Sequence, residues 1–92
     1  MIHSLPDITV GAAARISSTS VPCNWVQLQA VTGNAAVMRI GDANVGTGEG
    51  AIISTTGVLQ LPPAGNANTY NLYDLWVFGT ASDKVAVIYN VV

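Results

Sequence analysis

The chain has 92 residues, half of them hydrophobic and only 9% charged, against about 25% charged in ordinary soluble domains. That length holds one domain around one core. A net charge of −2, with Arg15, Arg39 and Lys84 as the only arginine or lysine cations, excludes the stripe of phosphate contacts that direct nucleic-acid recognition needs, and a single cysteine excludes an internal disulfide.

Segment 1–11 lacks a basic n-region and a continuous apolar stretch, so it does not read as a secretory signal. Ile2, Leu5 and Ile8 are scattered among polar residues there with no partner turn nearby. It reads as an extended N-terminal arm ahead of a domain over 12–92, either docking on a neighbouring subunit or fraying. The alanines within 10–16 suit one helical turn at most. Beyond them the runs are short, β-branched or aromatic, and punctuated by turn residues, which is the all-β pattern. Strands are predicted near 15–18, 25–31, 35–40, 51–54, 58–61, 72–78 and 85–91. Turn chemistry separates them at Thr32-Gly33-Asn34, Gly41-Asp42-Ala43-Asn44, Thr55-Thr56-Gly57 and Ala81-Ser82-Asp83-Lys84. The connection 62–71 is long enough in so small a domain to be functional. Every apolar run is broken before the roughly 18 residues a membrane helix requires. The fold expected is a single small β-sandwich, or a jelly-roll-like or barrel domain.

Two kinds of strand are distinguishable. In 25–30, Val26, Leu28 and Ala30 alternate with Gln27 and Gln29, as in a sheet with one wet side. In 72–78, Tyr73, Leu75 and Val77 alternate with Leu72, Trp76 and Phe78, with only Asp74 polar, and 85–92 is similarly apolar on both sides. A two-layer sandwich has one core, so the second face of these strands needs a loop or another subunit over it.

Catalysis has little to work with. His3 is the only histidine and lies in the arm, so no triad can be built on a rigid element and no enzyme is expected. Cys23 reads as a small buried hydrophobe. Gly46-Thr47-Gly48-Glu49-Gly50 lacks the lysine of a phosphate loop and leads into a strand, so it reads as a hairpin connection. Asp42, Asn44 and Glu49 mimic half of a calcium loop but miss its spacing. Nothing in the sequence places two of Asp42, Glu49, Asp74 and Asp83 together. Catalytic, cofactor and metal sites are all expected to be absent. Trp25, Tyr70 and the Asn-rich loop suit either a sugar-binding patch or, as is commoner for aromatics, core or interface.

Scarce charge must appear on the outside of so small a domain, and a neutral surface is poor at staying alone in solution. Self-association is expected through Trp76, Phe78, Ile88 and Val92. Such contacts would not dissolve at high salt.

The segments Val21-Pro22-Cys23-Asn24-Trp25-Val26-Gln27-Leu28-Gln29-Ala30, Val37-Met38-Arg39-Ile40-Gly41-Asp42, Leu59-Gln60-Leu61-Pro62-Pro63 and Tyr73-Asp74-Leu75-Trp76-Val77-Phe78-Gly79 through Asp83-Lys84-Val85-Ala86-Val87-Ile88-Tyr89 together resemble small β-rich virion proteins of tailed bacteriophages. The likeness runs from about Val21 to Tyr89. It implies a capsid decoration (cement) protein, made in the host cytoplasm and carried on the capsid exterior. As such proteins do, it would form a homo-oligomer, a trimer ahead of a dimer, and bind the major capsid protein. The arm and the long loop would supply that contact through Ile2, Leu5, Ile8, Asn68 and Tyr70. The rival reading is a tail or spike accessory module that binds a receptor or glycan.

Overall fold

A computed structural model of the chain describes residues 1–63 and 66–92. Among the described residues the regular elements are eleven strands and one 3-10 turn: β1 (Ile2–Ser4), β2 (Ile8–Thr9), β3 (Ala14–Arg15), β4 (Pro22–Cys23), β5 (Trp25–Ala30), β6 (Met38–Gly41), β7 (Ala51–Ile53), β8 (Val58–Leu61), β9 (Tyr70–Asn71), the turn Leu72–Asp74, β10 (Trp76–Phe78) and β11 (Lys84–Asn90). The domain is all-β.

The cleanest alternations make the centre of the first sheet. β5 and β11 pair antiparallel from Trp25 opposite Asn90 to Ala30 opposite Val85. The order is β1-β11-β5-β8, with β2 further along the same edge of β11 as β1. The second sheet runs β3-β10-β6-β7, and β4 with β9 forms a two-stranded ribbon. Val26, Leu28, Val85 and Val87 of the first sheet meet Met38, Ile40, Ile53 and Val77 of the second in one core, which Cys23, Leu72, Val10 and Ile16 complete. Two sheets with one core leave each sheet an outer face, as a sandwich must.

The segment 1–11 lies against this chain's own sheet. Leu5 N–H donates to the Val87 carbonyl at 3.0 Å and Val10 N–H to the Asp83 carbonyl at 2.8 Å. Val10 is buried in the core, while Leu5 and Ile8 pack against it. Past Val10 the chain bends through Gly11 to Ala13 into β3, and no helical turn forms in 10–16.

The segment 72–78 corrects the sequence reading. Instead of one strand with two apolar faces, the chain turns at Leu72–Asp74. The Asn71 side chain accepts from Tyr73 N–H at 3.0 Å and from Val21 N–H at 2.8 Å, a local bond that competes with the sheet ladder. The turn resets the alternation, so Leu72 and Val77, expected on opposite faces, both enter the core. The expected loop 62–71 likewise ends in a strand, with Tyr70 opposite Cys23; Ala64 and Gly65 in that loop lie outside the described residues.

Candidate functional site

The alternation in β5 and β11 decides what the first sheet presents to solvent. With Val26, Leu28, Val85 and Val87 turned inward, Gln27, Gln29, Ala86 and Ile88 turn outward. The register sets them in rows: Ser4, Ile88, Gln27 and Gln60 in one, Ala86, Gln29 and Val58 in the next, Ile2, Asn90 and Trp25 in a third. Gln60 Nε2 donates to Gln27 Oε1 at 2.8 Å. Ile2, Trp25, Asn90 and Pro63 line an open depression of about 290 Å³. The Asn90 side chain is fully engaged, donating to Asn24 Oδ1 at 2.7 Å and accepting from the N-terminal amine at 2.9 Å. No side chain in the three rows is charged. Lys84 and the N-terminal amine mark the two ends of the face.

The outer face of the second sheet has a different chemistry. Val77 pairs with Ile40 and both are buried, so Trp76 and Phe78 turn outward. Trp76 lies opposite Arg15 on one side and Gly41 on the other, and Phe78 lies opposite Arg39, which itself lies opposite the exposed Ile52. The Arg15 guanidinium carbon sits 3.8 Å from the Tyr73 ring centroid and 4.8 Å from that of Trp76, within cation–π range. Arg15 Nη1 donates to the Tyr73 carbonyl at 2.7 Å, and Arg39 Nη1 to the Gly50 carbonyl at 3.0 Å. Gly50 is held at φ +114°, where a Cβ would meet Val45 Cγ2 at 2.7 Å and the Ile40 carbonyl oxygen at 2.9 Å. Only glycine fits that position. Beside Phe78, a depression of about 300 Å³ is walled by Val37, Arg39, Thr47 and Thr80.

The groups weighed for chemistry are distributed elsewhere. His3 stacks on Tyr89 at the edge of the first sheet, ring centroids 5.4 Å apart. Cys23 is buried, and that burial pushes its thiol above the ordinary value, which leaves it an inert thiol. Asp42 Oδ1 accepts from Asn44 N–H at 2.9 Å, and Gly46 and Glu49 exchange main-chain bonds at 3.1 and 3.2 Å. The glycine-rich stretch is thus a tight hairpin connection between β6 and β7. Asp83, buried, accepts from Ala35 and Ala36 N–H at 2.9 and 3.2 Å and ties the start of β11 to the turn before β6. Among the described residues no group of three or more His, Cys, Asp or Glu is placed to hold a metal ion, and no helix is long and apolar enough to cross a membrane.

The four residues expected for self-association do not form one patch. Trp76 and Phe78 lie on the outer face of the second sheet, Ile88 on that of the first, and Val92 is exposed at the chain end. Of the five expected at a coat contact, Ile2 and Asn68 are exposed, and Asn68 Oδ1 accepts from Val92 N–H at 3.1 Å. Leu5, Ile8 and Tyr70 pack against the core, and the Tyr70 hydroxyl donates to the Pro62 carbonyl at 2.8 Å. Sequence reasoning passed over Arg15 and Arg39. Arg39 alternates with the buried Met38 and Ile40, and Arg15 precedes the buried Ile16; only for Arg39 does local alternation signal an outward position. Comparison with family models, with curated proteins and with solved structures finds no match to this chain.

Proposed function

We propose that this chain is a structural subunit that self-associates through the outer face of its first sheet. As a decoration protein of the kind carried by tailed-phage capsids, it lies on the capsid exterior and bridges adjacent subunits of the major capsid protein. The observation that supports this reading is a face whose three rows of Gln, Asn, Ser, Ala, Ile, Val and Trp contain no charged side chain, with the N-terminal amine at one end already held by Asn90 Oδ1. A second copy laid on such a face brings amide to amide and apolar group to apolar group, with no like-charge penalty. The neighbouring edge strand β8, Val-Leu-Gln-Leu, also carries no charge to guard it. Many identical copies on a lattice let weak contacts of this kind add up. On the resemblance a trimer is the first choice and a dimer the second; a face-to-face contact is two-fold, so a trimer would set this face against a different patch of the next copy, such as the β8 edge.

Sedimentation velocity on the purified chain and on Ile88→Glu tests the self-association. The wild type is expected to run as a closed oligomer at low salt and equally at about 1 M salt, where exposed charge pairs are screened. The variant, with like charges brought together across the contact, is expected to associate at least about ten-fold more weakly. A wild type that stays monomeric, or a variant that assembles equally well, overturns the reading. Copy number separates its two forms: hundreds per particle support decoration, whereas a handful supports a tail or spike accessory.

A further inference from the structure

Two of the chain's three arginine and lysine cations share the outer face of the second sheet, on either side of two aromatic rings. We propose that this face docks a protein segment presenting carboxylates on either side of an apolar side chain. Arg15 and Arg39 take the carboxylates, and the Trp76 and Phe78 rings that lie between them take the apolar group.

Both guanidinium groups are already oriented. Arg15 is fixed by the Tyr73 carbonyl and by the Tyr73 and Trp76 rings, Arg39 by the Gly50 carbonyl. Each uses one donor in that way and keeps the rest of its five-donor fork for a partner, in the geometry that matches a carboxylate. Little side-chain freedom remains to be lost on binding. Trp, Tyr and Arg are also the residues that carry most of the energy at protein interfaces.

Charge selects the occupant. The rest of the chain holds five side-chain carboxylates and Lys84, so two of its three arginine and lysine cations are concentrated on this face, where they attract a carboxylate locally. Asp42 and Asp74 flank the Trp76 end, following β6 and preceding β10, and stop such a partner from sliding past Arg15. A second copy laid face to face would set arginine against arginine. Two cations fall short of the row of phosphate contacts that holds a nucleic acid.

The spacing defines a probe. β3 and β6 are two strand spacings apart, roughly 10 Å, and an extended peptide covers about 13 Å in four residues. A fluorescein-labelled peptide with the core Asp-Ala-Leu-Ala-Asp therefore spans both arginines with its leucine between them. Fluorescence anisotropy should show saturable binding at low salt, at least about ten-fold weaker at 0.5 M salt. The same loss is expected for Arg15→Gln/Arg39→Gln, and for a peptide with Asn in place of Asp. Phe78→Ala should weaken binding without changing its salt dependence, while Ile88→Glu should leave it unchanged. Thermal melts monitored by circular dichroism check that the double variant folds as the wild type does. Absence of saturable binding, equal binding by the double variant or by the Asn peptide, or tighter binding of a twelve-residue oligothymidylate each overturns the proposal. Because the site lies on the other sheet, its failure leaves the self-association reading standing.

Discussion

The two outer faces of this sandwich are built from the same kind of strand and have opposite chemistry. On the first sheet the outward positions include Gln27, Gln29, Gln60, Ser4, Ala86 and Ile88, and Gln60 pairs with Gln27 amide to amide. On the second they are Arg15, Arg39, Trp76, Phe78 and Ile52, with each cation anchored to a main-chain carbonyl. A composition that is 9% charged is therefore an average over a face with no charged side chain in its rows and a face that holds both arginines. The difference has a thermodynamic consequence. Contacts through the first face depend on area and amide pairing and resist salt, whereas contacts through the second depend on ion pairing and weaken as salt screens it.

The largest perturbation removes both faces at once. Leu28 is fully buried between the sheets, and its neighbours Gln27 and Gln29 lie in the neutral rows. Leu28→Ala is expected to cost about 2–5 kcal/mol, the transfer of the lost methyl groups plus the cavity left behind. Urea denaturation should report that loss. Self-association and peptide binding should then fail together at the same urea concentration, because both faces rest on one core. Separate midpoints for the two activities would show that the sheets unfold independently and break the comparison.

Asp83 ties the first sheet to the start of the second, yet its loss is expected to fall on one face more than the other. Its carboxylate holds Ala35 and Ala36, just before the strand that carries Arg39. Asn in its place offers one acceptor and turns its amide N–H groups toward a donor. Asp83→Asn is expected to cost about 1.5–3 kcal/mol, the range for hydrogen bonds to a charged group, again by urea midpoint. The turn into β6 loosens while the β5–β11 pairing stays. Acidic-peptide binding should fall in native buffer with self-association intact. Equal loss of both would show that the damage spreads through β11.

Much of this architecture was legible in the chain, and the misses share a cause. β5, β6, β7 and β8 could be read because alternation and turn residues are local signals, and Asp42 to Gly50 showed itself as a hairpin connection by what it lacked. The turn Leu72–Asp74 was hidden because hydrophobic alternation weighs side-chain polarity and takes no account of the Asn71 side chain that caps it. The edge position of 1–11 depends on pairing with residues some 80 positions away, such as Ile2 with Asn90, which no local pattern encodes. The arginine face was missed for the same reason. Arg15, Trp76 and Arg39 become neighbours only when the strand order β3-β10-β6 is known, and in sequence they are isolated residues.

The smallest expected effect tests the neutral face most directly. Gln60→Ala removes the 2.8 Å bond to Gln27. On a solvated face water replaces the lost partner, and the cost is about 0.5–1 kcal/mol. If the face is buried against a second copy, the Gln27 amide loses its partner where water cannot reach, and the cost rises to about 1–3 kcal/mol. The same substitution therefore carries two values, and protein concentration chooses between them. Calorimetry of wild type and variant at high dilution should give nearly the same melting temperature, and at high concentration the gap should widen as the wild type gains stability from assembly. A gap that does not change with concentration would place Gln27 and Gln60 outside any contact and move self-association off the first sheet.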